Sequence, residues 1–144
     1  MPTPLLGLLA LAGAALVAQN LLMARMAATG GSTVAPLVLN SAVGLVALLV
    51  ALLLQNGPSG LAAAVGGFRA WSLLPGLLGS FFVFASVTGF RELGPVSTVT
   101  VLVASQLLCG LAIEIARTGL AANVTAIVGA GLLVAGSALV LARG

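Results

Sequence analysis

Long apolar runs, separated by short polar or glycine-rich breaks, organise this chain of 144 residues. A helix that crosses a bilayer needs about 20 mostly apolar residues, and five runs reach that length. They predict helices over residues 4–26, 34–55, 71–90, 96–116 and 124–142. The first ends at the turn Thr29-Gly30-Gly31-Ser32. A glycine-rich connection over 56–69 opens on Asn56-Gly57-Pro58, a strong turn signal. Arg91-Glu92-Leu93-Gly94 predicts a tight turn, after which Pro95 suits the first position of a helix, where its missing N–H costs nothing. Residues 117–123 make the last loop. The first run has no Arg or Lys before Arg25 and exceeds the roughly 7–15 residue apolar core of a signal peptide. It is expected to stay as a span. The pattern therefore predicts an all-α, multi-pass transmembrane bundle of five spans, in a single domain over 1–144.

Composition turns that pattern into a membrane assignment. Hydrophobic residues make up 61% and charged residues 5%, against about 25% charged in a soluble domain. So few charges cannot cover a water-facing surface. The chain also has no His, Tyr, Lys or Asp. A metal site, a Ser-His-Asp triad and a Lys nucleophile thus find no support, and neither an enzyme nor a cofactor is expected. The net charge of +3 comes from five scattered arginines rather than a basic patch, so nucleic acid is not implied. Cys109 stands alone in an apolar run. It can form no intrachain disulfide and reads as a small buried hydrophobe.

Five spans put the termini on opposite sides, A for the N-terminal side and B for the other. Arg25, Arg91 and Arg143 then fall on B, and Arg69 and Arg117 on A. Orientation normally follows an excess of Lys and Arg in cytoplasmic loops. Two readings follow from so small an excess. Either B is cytoplasmic, or copies insert both ways and pair as an antiparallel dimer; near-zero bias favours the second.

Polar residues inside spans need partners, so they carry information. The spans hold Gln19, Asn20, Asn40, Ser41, Ser80, Ser86, Thr88, Ser97, Thr98, Thr100, Ser105 and Gln106. At about 1.5 Å per residue, Gln19 and Asn40 each lie about 6 Å from the middle of their spans, toward B. Ser86, Thr88, Ser97, Thr98 and Thr100 fall in the same half, with Gln106 at its floor. That is the pattern of a half-open polar cavity, and Gln19, Asn20, Asn40, Ser97, Thr98, Ser105 and Gln106 are its candidate lining. The competing reading is hydrogen bonding that holds helices together.

Pro75, Gly76 and Gly79 mark a candidate hinge in the third span. Glu114 and Arg117, three residues apart, suit an ion pair at the A-side interface. Glu92 reads as solvated. No carboxylate falls at mid-membrane, which argues against a carboxylate-centred proton/cation antiporter. Phe81, Phe82 and Phe84 suit lipid or core contact. Small-residue spacings such as Gly76/Ser80 and Ala126/Ala130 suit close helix approach.

Gly94-Pro95-Val96-Ser97-Thr98-Val99-Thr100-Val101-Leu102-Val103-Ala104-Ser105-Gln106-Leu107-Leu108 joins a Leu-Gly turn to a Thr-containing helix and a Val-Ala-x-Gln-Leu core. Glu114 follows Gln106 by eight positions. With Ala12-Gly13-Ala14 through Gln19, and Gly129 to Gly136 in the last span, the chain resembles the YdcZ-like family of the drug/metabolite transporter superfamily over nearly its whole length. Met23 departs from that family's pattern, which has Asn four residues after the first-span Gln. The resemblance implies a five-span half of a ten-span transporter in the bacterial inner membrane, and antiparallel pairing, here as a homodimer. It also implies transport of a small-molecule substrate.

A secondary transporter for a small organic solute is therefore the leading expectation, with alternating access between two inverted copies and a site near midplane. A small dual-topology ion channel is one alternative, with Asn40, Gly44, Phe81 and Thr98 as its polar and aromatic candidates. A non-transporting accessory subunit of a heterodimer is another.

Overall fold

A computed structural model describes residues 3–142. Arg143, one of the arginines assigned to side B, lies outside them. The described chain forms helices α1 (Thr3–Gly30), α2 (Val34–Gly66), α3 (Leu73–Glu92), α4 (Gly94–Thr118) and α5 (Val124–Leu141). Single turns of 3-10 helix at Ala70–Ser72 and Ala121–Asn123 lead into α3 and α5. No strand occurs among the described residues. All five helices are long and apolar enough to cross a membrane. Helices suit that solvent because each closes its own backbone hydrogen bonds.

Local chemistry sets the ends. α1 runs past the expected end because Thr29 turns its hydroxyl back onto the helix, donating to the carbonyls of Met26 at 3.1 Å and Arg25 at 3.2 Å. Gly31, at φ 67°, then leaves the helix through the left-handed region that glycine enters without strain. Between α4 and α5, Asn123 is 5% exposed and donates from its amide to Thr118 Oγ1 at 2.6 Å and to the Gly119 carbonyl at 2.8 Å. That knot fixes the turn between α4 and α5.

The connection expected over 56–69 is largely helical, which corrects the reading of the sequence. α2 continues to Gly66 across a break at Gly57, whose φ of 62° and ψ of −165° are non-helical. Pro58 then restarts the helix, in the first-turn position it tolerates. The stretch before the break already measures about 34 Å at about 1.5 Å per residue, enough to span. The Asn-Gly-Pro signal was sound, but it marks one residue rather than a loop. Pro75, by contrast, sits in the first turn of α3, where the N–H it lacks would have no intrahelical partner, and α3 runs on through Gly76 and Gly79.

The chain divides into two compact units, Met1–Thr88 and Gly89–Gly144. In the first, Met23, Ala27 and Val87 form a buried cluster, with Ala24, Leu37 and Val83 packed against it. In the second, α4 and α5 pack together, and Thr98 and Ala130 are buried. Gly89 lies so close to Thr98 that a Cβ there would fall 2.6 Å from Thr98 Cγ2. Most large apolar side chains remain exposed, Leu54 at 82% and Leu139 at 72% among them. In lipid such exposure carries no hydrophobic penalty. Cys109 is also exposed, against the buried position expected of it.

Candidate functional site

Two amides that the sequence places at equal depth meet in the first unit. Gln19 Nε2, on α1, donates to Asn40 Oδ1, on α2, at 2.8 Å. The bond is partly buried, and it joins helices that otherwise offer each other apolar side chains. Both residues line a cavity of about 460 Å³ with Ala15, Ala18, Leu22, Met23, Met26, Pro36, Leu39 and Val43. One bond thus ties α1 to α2 and stays on the cavity wall. Each amide also keeps hydrogen-bonding capacity beyond that bond. Gln19 retains its carbonyl oxygen and one N–H, and Asn40 both N–H groups.

No charged side chain lines this cavity. Met23 is 4% exposed and serves both the buried cluster and the cavity wall. Asn20, next to Gln19, is 3% exposed and lies outside the lining. Ser86 Oγ and Thr88 Oγ1, on α3, are buried with no hydrogen-bond partner among the described residues.

A larger cavity of about 590 Å³ lies between α2 and α3, lined by Val34, Leu37, Val38, Ser41, Gly76, Gly79, Ser80 and Val83. The small residues Gly76, Gly79 and Ser80 thus open space beside α2. Ser80 gives its hydroxyl to the Gly76 carbonyl at 2.9 Å. Two of the three candidate hinge residues, Gly76 and Gly79, are wall residues here.

The candidates in the second unit behave differently. Thr98 is buried and donates to the Gly94 carbonyl of its own helix at 2.8 Å. Ser105 is exposed and donates to the Leu102 carbonyl at 2.9 Å. Ser97 is half-buried. Gln106, the middle residue of α4, is exposed and makes no hydrogen bond among the described residues. The cavity of about 430 Å³ in this unit is lined by Val99, Thr100, Val103, Leu133, Gly136, Ser137 and Val140, and by none of those four. Glu114 and Arg117 are both exposed, and no ion pair joins them among the described residues. Water screens such a pair, so little stability is lost without it.

The reading of the sequence missed the apolar walls: Leu22, Met23, Met26, Pro36, Leu39 and Val43 in one cavity, and Val34, Leu37, Val38 and Val83 in the other. In helices apolar on every side, no hydrophobic stripe marks the face that turns inward. Proline inside a helix was the one available signal, at Pro36, which is buried in the first turn of α2.

Comparison with known proteins now adds to the geometry. Residues 4–139 match the family described as "Putative inner membrane exporter, YdcZ". The chain is 45% identical over 141 residues to the inner membrane protein YdcZ of Escherichia coli K12, covering 96% of this chain and 95% of that one. No solved structure matches. Five membrane-length apolar helices agree with a multi-pass protein of the bacterial inner membrane. The match covers nearly the whole chain, and on it the chain belongs to the YdcZ family of inner-membrane proteins.

Proposed function

We propose that this protein is a carrier of small organic solutes, and that two copies inserted in opposite directions form one pathway by alternating access. The observation that carries the reading is the Gln19–Asn40 pair. It is a polar contact retained on the wall of an otherwise apolar cavity. A bond serving only to hold helices together gains nothing from facing open space. The family's description as an exporter supports the same reading and suggests an outward direction.

Gln106 supports the pairing. Gln106, exposed at the centre of an apolar helix, has no partner among the described residues, and an unmet polar group in hydrocarbon is costly. An amide both donates and accepts, so it can pair with its own copy. In an antiparallel dimer the twofold axis runs along the midplane, where a mid-helix residue meets itself. The near-even arginine distribution agrees with insertion in both directions.

The test replaces Cys109 with Ser and introduces Ser32→Cys or Leu120→Cys, at opposite ends of the spans. An impermeant maleimide is then applied to each side of the native membrane. Each position is expected to label in about half of the copies from either side. Labelling of each from one side only contradicts the paired-copy pathway.

A further inference from the structure

We infer that the α1–α2 cavity selects uncharged solutes that combine an apolar body with a hydrogen-bonding group, such as an amide, that both donates and accepts. The inference deepens the carrier reading of this site and rests on it.

Charge comes first. Ten residues line the cavity, and none bears a charge. The chain has no Asp, Lys or His anywhere, and its two glutamates, Glu92 and Glu114, lie on α3 and α4. Arg25 is the arginine nearest in sequence, beside Met26 on α1, but it is exposed and does not line the cavity. A cation or anion entering this space would give up its hydration with no counter-charge on the wall to meet it. An uncharged molecule incurs no such cost.

Hydrogen bonding comes second. The Gln19–Asn40 bond uses one N–H and one lone pair, so the pair still offers three N–H groups, two lone pairs on Gln19 Oε1 and one on Asn40 Oδ1. The wall can therefore both donate and accept, and a solute carrying an uncharged group that does both, such as an amide, satisfies it best. Shape comes third. Leu22, Met23, Met26, Leu39 and Val43 supply an apolar and, through the two methionines, adaptable surface. It fits a molecule whose remaining body is hydrocarbon or aromatic.

The experiment uses three molecules of one shape: benzamide, benzamidinium and benzoate, which are neutral, cationic and anionic. Met26→Cys, in a Cys109→Ser chain, places a thiol on the cavity lining about one turn from the end of α1. The full chain in lipid nanodiscs is labelled with a maleimide in the presence of each molecule. Leu120→Cys, away from the cavity, is the control.

Benzamide is expected to slow labelling of Met26→Cys at concentrations at least tenfold below those the two ions need, with no effect on the control. Adding Asn40→Asp keeps an acceptor for Gln19 and supplies the missing counter-charge. That chain is expected to shift relative protection toward benzamidinium by at least tenfold. Equal protection by all three molecules overturns the inference, as does protection by none, or an unchanged order with Asn40→Asp. Selective protection in a chain that labels from one side only leaves this inference standing and removes the paired-copy reading. Dual topology with unselective protection does the reverse.

Discussion

The two units differ in what their long amides do, while the hydroxyls of both fold back onto their own helix, as Thr29, Ser59 and Ser80 do in the first. In Met1–Thr88 the long amides of Gln19 and Asn40 reach across from helix to helix and stay on a cavity wall. In Gly89–Gly144 the short hydroxyls of Thr98, Ser105, Thr118 and Ser137 fold back onto carbonyls of their own helix, at 2.7–2.9 Å. Reach explains the difference. A Ser or Thr hydroxyl in a helix lies within range of the carbonyl three or four residues back, and in lipid it takes that partner. Gln and Asn extend beyond their own turn. The first unit thus keeps polar capacity for something outside the fold, and the second has used most of it for structure. Gln106 is the exception that looks outward.

This contrast can be broken most severely at Gly89. A methyl there meets Thr98 below contact distance, so Gly89→Ala is expected to cost about 1–3 kcal/mol. Thr98→Ala in the same chain should recover most of it. Thermal unfolding in detergent, followed for both chains, checks this. If the double variant is no better than the single, the close approach is not what holds the second unit.

A smaller loss is expected at Gly57, in the first unit. Nothing lies within 4 Å of its missing side chain, so Gly57→Ala costs only the backbone strain at φ 62° and ψ −165°, a region essentially reserved to glycine, about 1–2 kcal/mol. Gly13→Ala, mid-helix and equally open, should be neutral or stabilising by about 0.5–1 kcal/mol. The same melts compare the two, and equal effects would refute a break at Gly57.

The Gln19–Asn40 bond comes next. A double-mutant cycle with Gln19→Leu and Asn40→Leu is expected to give a coupling of about 0.6–1.7 kcal/mol, the range of interhelical bonds in membranes. Zero coupling would mean the amides do not hold α1 to α2. Ser105→Ala should be the mildest, within about 0.5 kcal/mol, since its hydroxyl only doubles on its own helix. A cost equal to that of Asn40→Leu would erase the distinction between the units.

Much of this is legible in the amino-acid sequence. Spans declare themselves through length and hydropathy, and the boundaries slipped only where local chemistry intervened. Thr29 extends α1 by back-bonding, and Pro58 restarts α2 after a single left-handed glycine. Helical rise alone put Gln19 and Asn40 at one depth, because antiparallel neighbours convert sequence distance into height. Rotation about each helix axis was not readable. Helices apolar all round hide which face is inside, so the burial of Asn20, the exposure of Gln106 and Cys109 and the apolar cavity walls all escaped the pattern. The knot at Asn123 escaped too, since its partners Thr118 and Gly119 form a turn whose geometry the residue types do not fix.

Whether inverted copies meet along α4 can be settled with the native thiol. Cys109 is exposed and lies three residues past Gln106, and Val103, also exposed, lies three residues before it. In an antiparallel pair centred on Gln106, Cys109 of one copy stands level with residue 103 of the other, while the two native thiols are about 9 Å apart in depth. Mild oxidation in native membranes is expected to leave the unaltered chain monomeric in denaturing gels. The Val103→Cys chain should give a crosslinked dimer that disappears when Cys109→Ser is added. A disulfide dimer of the unaltered chain, or no crosslink with Val103→Cys, would contradict the account.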